Sequence, residues 1–233
     1  MPTLYDPGSR TTQDHHAHPI SQITPHLYIG TFHASTSIPL LLQNDITAIV
    51  SLLHSPQDEW SRPANRKLIP AKNHLFVKCD DSPEQDILSR LDEICDFIDK
   101  HTSPPNLKSR TDMILAMLGA DGGGGGELKR GASIEDVEIN GGKVLVHCSE
   151  GVSRSGAVVV GYLMKKEGKT LKEALKFVKR RRRVVQPRRS FLEQLKVWEK
   201  EGYKVWKEEE GGVRTPRDGY KRWLEKRENS VMV

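Results

Sequence analysis

Apolar residues in this chain recur in two rhythms. Short continuous runs stand at Ile46-Thr47-Ala48-Ile49-Val50-Ser51-Leu52-Leu53, at His74-Leu75-Phe76-Val77-Lys78 and at Lys143-Val144-Leu145-Val146. Their length and β-branched content predict buried strands. Elsewhere the spacing is helical. Ile87, Leu88, Leu91, Ile94, Cys95 and Ile98 share one face of a helix expected over Ile87 to Lys100. Ala157 to Met164 predicts a buried helix, and a short one is expected from His33 to Asn44. Thr170-Leu171-Lys172-Glu173 and Ser190-Phe191-Leu192-Glu193 have the capping-box form, so two more helices are expected to start there. Leu171, Ala174, Leu175 and Val178 face the core from the first. Phe191, Leu192, Leu195 and Trp198 face it from the second. Strands interleaved with helices make the fold class α/β.

The polar stretches divide the chain. Residues 1–19 contain Pro2, Pro7, Gly8 and Pro19 and read as a disordered lead-in, with order beginning at Ile20. Nothing beside His15, His16 and His18 would close a metal site, so a solvated tail is expected there. His54 to Asn73 is polar and proline-broken and reads as a loop. Residues 101–142 include Pro104-Pro105 and five glycines at 122–126, and read as a flexible surface insertion. Within it, Met113 to Leu118 is apolar enough to dock as a short helix. Residues 20–200 hold the main domain. The extension 201–233 is expected to add a helix around Tyr220 to Arg227, with Trp206 and Trp223 as packing anchors.

Composition narrows the class. The chain of 233 residues is 36% hydrophobic and 29% charged, enough for one α/β domain with polar extensions. No apolar run approaches a membrane span and no apolar leader is seen. Three widely spaced cysteines argue against a disulfide framework and for a reducing compartment, cytosol or nucleus. The net charge of +5 is uneven: from Lys165 to Arg189, twelve Lys/Arg against Glu167 and Glu173 give +10, leaving −5 elsewhere. One basic surface is therefore expected around Lys179 to Arg183 and Arg188-Arg189. Three readings of it stand: a solvated helix end, recruitment of an acidic or doubly phosphorylated substrate, and a nuclear-import or nucleic-acid contact.

Between the strand at Lys143 and the helix at Ala157 lies His147-Cys148-Ser149-Glu150-Gly151-Val152-Ser153-Arg154-Ser155-Gly156. A strand, a tight turn and a helix N-terminus let the amides of Ser149, Glu150, Gly151, Val152, Ser153 and Arg154 converge on one anion. Such surroundings favour a thiolate at the cysteine. Arg154 adds a planar fork suited to two phosphoryl oxygens. The stretch therefore points to nucleophilic attack on a phosphate ester.

The run His147-Cys148, five residues, then Arg154-Ser155 resembles the signature of cysteine-dependent protein phosphatases, and the wider chain resembles the small dual-specificity members. Ile23 to Gly30, with its Leu-Tyr-Ile-Gly, is similar to that family's opening strand. The resemblance implies a central, mostly parallel twisted sheet flanked by helices. It implies hydrolysis of phosphotyrosine and phosphoserine/phosphothreonine in proteins through a phosphocysteine, with no metal or cofactor. Cys148 would be the nucleophile, and Arg154 with the loop amides would bind the phosphoryl group. Asp80 and Asp81 are both candidates for the acid, and the family's spacing to a second aspartate, here Asp86-Ile87, favours Asp81. Ser155 would assist departure of the thiolate, and it also fits a helix cap. His147 would order the loop. Glu150, where relatives often have alanine, is expected to face solvent. Arg183, four residues before Pro187, matches an arginine that contacts a second substrate phosphate. Pro187-Arg188 replaces the family's usual Pro-Asn pair, and about forty residues at 101–142 replace a short connection. Cys79 is either a strand cysteine or a disulfide partner for Cys148. Other substrates for the same chemistry would be a phosphoinositide, an RNA 5′-phosphate or a glucan. The reading of another class is a phosphoprotein-binding scaffold.

Overall fold

In the computed structural model, residues 19–103, 141–209 and 211–231 are described. The N-terminal residues 1–18, with the three histidines, and most of the insertion, 104–140, lie outside them. The chain opens with β1 (Ile20–Thr24) and β2 (Leu27–Gly30), antiparallel across a turn at Pro25-His26. The expected single opening strand is thus a hairpin, because Pro25 cannot donate to a ladder. Next come α1 (Phe32–Thr36) and α2 (Ile38–Gln43) where one helix was expected. Ser37 is extended between them and Pro39 opens α2, so the ladder cannot run through.

Strand β3 (Ile46–Leu53) follows as expected. The segment expected to be a loop to Asn73 contains short helical turns, among them α3 (Pro63–Leu68). They bring Trp60 and Ile69 into the core, two apolar residues too sparse to make a pattern. Then come β4 (His74–Lys78), α4 (Leu88–Thr102), β5 (Lys143–His147) and α5 (Arg154–Glu167). They are followed by α6 (Leu171–Arg181), α7 (Arg189–Lys200), the hairpin β6 (Trp206–Glu208) and β7 (Arg214–Pro216), and α8 (Asp218–Val231).

The main sheet has the order β1-β2-β5-β3-β4, with β2, β5, β3 and β4 parallel. Successive side chains on a strand alternate between faces. Val144 and Val146 therefore pack with Ala48 and Val50 under α4, α5, α6 and α7. Leu145 and Ile49 meet Ala34, Leu41, Trp60 and Ile69 on the other face. Helix α5 runs behind the central strand and is buried from Arg154 to Met164. Among the described residues no helix is long and apolar enough to cross a membrane.

The first capping box is real: Thr170 accepts from the Glu173 amide and Glu173 accepts from the Thr170 amide. The second is not. Helix α7 begins at Arg189, and the Ser190 hydroxyl has no hydrogen-bond partner. The fourth core position of α7 is Gln194 rather than Leu192. In the C-terminal part the expected helix is present, with Tyr220 edge-on to Trp206 and stacked on Trp223. The β6–β7 hairpin had no signal, being two strands of three residues each.

Candidate active site

Parallel strands deliver their C-terminal ends to one edge, and that edge holds the expected site residues. Strand β5 ends at His147 and hands over to Cys148, whose Sγ lies 3.2 Å from the Ser155 hydroxyl at the start of α5. The loop between them is held from outside by its carbonyls. The Phe32 amide donates to Ser149 O at 2.9 Å and the Gln186 amide to Val152 O at 3.0 Å. Arg182 spans the middle, with Nε on Gly151 O at 2.9 Å and Nη2 on Glu150 O at 3.2 Å. In a trans peptide the carbonyl and the next N–H point in opposite directions, and no cis bond occurs among the described residues. Carbonyls turned outward from Ser149 to Val152 therefore turn the amides of Glu150 to Ser153 inward, beside the sulfur. Gly151 makes this geometry possible. Its φ is +66°, and a Cβ there would stand 2.6 Å from Gly30 O and 2.8 Å from the Arg182 guanidinium.

Arg154 is buried under the loop, yet its partners are neutral oxygens. Nη1 donates to Leu52 O and Cys79 O, at the ends of β3 and β4, and Nη2 donates to the Ser149 hydroxyl at 2.8 Å. Nε is buried with no hydrogen-bond partner. Strand ends thus aim the guanidinium while one edge of its fork keeps a donor for an anion.

Asp81 arrives from the segment after β4. Its Oδ1 accepts from the Ser153 hydroxyl at 2.8 Å and from Arg188 Nε at 3.0 Å. Asp80 turns away to His54 Nδ1, 2.8 Å distant, in an exposed pair. The spacing to Asp86 has a structural meaning: Asp86 Oδ1 accepts from the Ser89 amide, and Oδ2 accepts from the Tyr220 hydroxyl at 2.6 Å. Between the two aspartates, the Gln85 side chain accepts from the Asp80 amide. Gln85 O in turn accepts from Gln194, whose own carbonyl takes the Ile87 amide.

Behind the nucleophile lies a chain of hydrogen bonds. His147 Nε2 is 2.6 Å from Ser51 Oγ, Ser51 Oγ is 2.8 Å from His74 Nε2, and His74 Nδ1 is 3.2 Å from Arg66 Nη1. Donor counting fixes its direction. Arg66 can only donate, so His74 carries its proton on Nε2 and gives it to Ser51. Ser51 donates to His147 Nε2, leaving the His147 proton on Nδ1, aimed at Cys148 O at 3.3 Å. His74 is thereby neutral, its Nδ1 accepting from Arg66, and burial holds His147 neutral too. Burial pushes the His147 pKa down to about 3, and burial with the Arg66 charge pushes that of His74 down to about 4.

The structure brings Cys148, Ser149, Gly151, Val152, Ser153, Arg154, Ser155, His147 and Asp81 together and leaves the Glu150 side chain exposed. Arg183 lies away from the loop itself. It is exposed and lines a groove with Lys172 and Lys176, while its neighbour Arg182 reaches the loop. All three cysteines are free. Burial holds the Cys79 thiol up at about 12, and its backbone carbonyl serves Arg154, which fits a strand cysteine. Sequence reasoning missed Ser51, His74, Gln194 and the Tyr220 hydroxyl, and it placed Arg182 and Arg188 only within a basic surface, not at the loop or the acid.

The family sequence pattern for the dual specificity phosphatase catalytic domain matches residues 129–201, the stretch containing this loop. Over that stretch the chain is similar to dual-specificity phosphatase catalytic domains. It is 31% identical over 180 residues to dual specificity protein phosphatase 5 of Rattus norvegicus, covering 77% of this chain and 35% of that protein. It is 28% identical over 197 residues to dual specificity protein phosphatase 19 of Mus musculus, covering 84% and 67%. The chain thus spans about a third of the first of these curated phosphatases. The Yvh1 phosphatase domain from Chaetomium thermophilum shares the fold with a TM-score of 0.58, 24% identity and coverage of 78% and 96%. The shared fold includes the mostly parallel sheet, and the family match includes the loop between its central strand and α5.

Proposed function

We propose that this protein hydrolyses phosphate monoesters of tyrosine and of serine/threonine in proteins, by two displacements at phosphorus. One observation carries the reading: beside Cys148 Sγ stand a row of inward amides and a buried guanidinium whose Nε has no partner. Preorganised donors of this kind stabilise the equatorial oxygens of a transferring phosphoryl group. In the first step the Cys148 thiolate attacks phosphorus, the ester P–O bond breaks, and the leaving oxygen takes a proton from Asp81. In the second, water attacks the phosphocysteine, Asp81 receives the water proton, and the S–P bond breaks. The Ser155 hydroxyl, 3.2 Å away, donates to the departing thiolate. Phosphate leaves and the resting state returns.

The test is a panel with the purified protein: an aryl phosphate, phosphotyrosine and phosphothreonine peptides, and phosphoinositides. Turnover of both peptides, lost in Cys148→Ser, is expected. Turnover that survives Cys148→Ser sinks the mechanism, and turnover confined to lipid phosphates sinks the protein substrate.

A further inference from the structure

Helix α6 presents Lys172, Lys176, Lys179 and Arg180 along one open groove, continued by Arg183 and floored by Leu175. Lys172 and Lys176, Lys176 and Lys179, and Lys176 and Arg180 are three or four residues apart, so like charges are neighbours on the helix surface. Such pairs weaken a helix. Other helices of the protein avoid the penalty: Lys165 pairs with Asp92, Lys166 with Asp99, Arg90 with Glu93 and Lys196 with Glu193. Among the described residues no carboxylate forms an ion pair with any of the five groove cations. Among the described residues this repulsion has no ion-pair partner to offset it.

The stripe also has a direction. Arg183 follows Arg182, whose guanidinium holds the rim of the Cys148 loop, and from there the cations run back along α6 to Lys172. Lys172 to Arg180 spans roughly 12 Å of helix, which about four residues of extended peptide would cover. Leu175 leaves a place for one apolar side chain among the charges. Two other polyanions fit less well. Among the described residues the large exposed hydrophobics are Leu42 and Val213, neither of them on α6 to enter a bilayer. The helix's one ring, Phe177, lies under Lys169 and Arg181, which leaves no bare aromatic face for a base.

We infer that the α6 stripe docks an acid-rich segment of the phosphoprotein substrate, so that phosphoresidues flanked by clustered Asp/Glu are turned over in preference to neutral ones. The inference rests on the proposed phosphatase activity, and it adds a specificity surface outside the chemical site. Encounter would be steered by charge and weakened by salt.

The experiment compares the full chain with Lys172→Gln/Lys176→Gln/Lys179→Gln/Arg180→Gln. Phosphotyrosine peptides carry four glutamates or four glutamines, placed before or after the phosphoresidue, beside an aryl phosphate. For one placement the wild type is expected to favour the acidic peptide in kcat/KM by about tenfold at low salt, with the ratio falling near one in the variant and at high salt. Aryl phosphate turnover should be equal in both proteins; if the wild type fails on it, the activity itself is misassigned. A charge-reversed variant with four glutamates at these positions should prefer a lysine-bearing peptide, a gain that misfolding cannot produce. An acidic preference that persists in the glutamine variant, or is absent from the wild type, overturns the inference. So does a variant that loses binding to phosphatidylserine vesicles or to an oligonucleotide while its peptide ratio is unchanged.

Discussion

Arg188 grips Asp81 twice, with Nε on the carboxylate Oδ1 at 3.0 Å and Nη2 on the backbone carbonyl of the same residue at 2.5 Å. The Ser153 hydroxyl donates to that Oδ1 and accepts from the Arg188 amide at 3.2 Å, so the acid segment, the phosphate loop and the start of α7 meet at one point. A clamp on an acid matters most when the leaving group needs a proton. Arg188→Ala is therefore expected to slow turnover of phosphoserine peptides about tenfold while changing that of a nitrophenyl phosphate by less than about threefold. A leaving-group series reads this as a steeper slope. Equal losses across the series would assign Arg188 to folding or substrate binding instead.

The two adjacent aspartates are separable by the same logic. Asp81 touches the phosphate loop through Ser153, whereas Asp80 pairs with His54 out in solvent. Asp81→Ala should lower kcat on phosphopeptides by about 10²–10³ with KM nearly unchanged, the loss expected for removing a general acid. Asp80→Ala should stay within about twofold of wild type, since an exposed pair contributes little. A reversal of the two results would move the acid to Asp80.

Tyr220 lies far along the chain from the site yet holds its frame, because its hydroxyl donates to Asp86, which also caps the first turn of α4. Tyr220→Phe keeps the ring between Trp206 and Trp223 and removes only that bond. A stability loss of about 1–2 kcal/mol in urea unfolding is expected, with a loss of turnover confined to poor leaving groups. Full activity on phosphoserine peptides at unchanged stability would detach the C-terminal helix from the acid segment.

What the sequence made legible was whatever local pattern dictates. Val144 to Val146, the apolar face of α4 and the Thr170–Glu173 box read correctly because each depends on near neighbours. Misreadings came where tertiary contacts choose between near-equal local options. Ser190 had the capping pattern, but Arg188, bonded to Ser153 and Asp81, is the residue before α7, which starts at Arg189, two residues earlier than a Ser190 cap implies. Four arginines in a row cannot say which one turns inward; α6 stops at Arg181, and the extended backbone at Arg182 sends that one to Gly151. Gln194 and Ser51 look like polar interruptions of apolar faces. Their partners, Gln85 at 109 positions away and His147 at 96, are set by the fold alone.

The Ser51 relay has a consequence for stability against pH. Unfolded histidines take up protons below about pH 6.5. In the fold His147 and His74 stay neutral down to about 3 and about 4 respectively. Between those limits the unfolded state binds more protons, so stability rises with pH and is lost as pH falls below about 6.5. Each histidine contributes up to about 1.4 kcal/mol per pH unit to that slope. His74→Gln removes one titrating ring while leaving the His147–Ser51 bond. Urea unfolding at about pH 7 and about pH 5 should then show an acid-side loss smaller than wild type by about 1–3 kcal/mol. An unchanged loss would mean that His74 titrates freely, which is incompatible with a ring held neutral between Arg66 and Ser51.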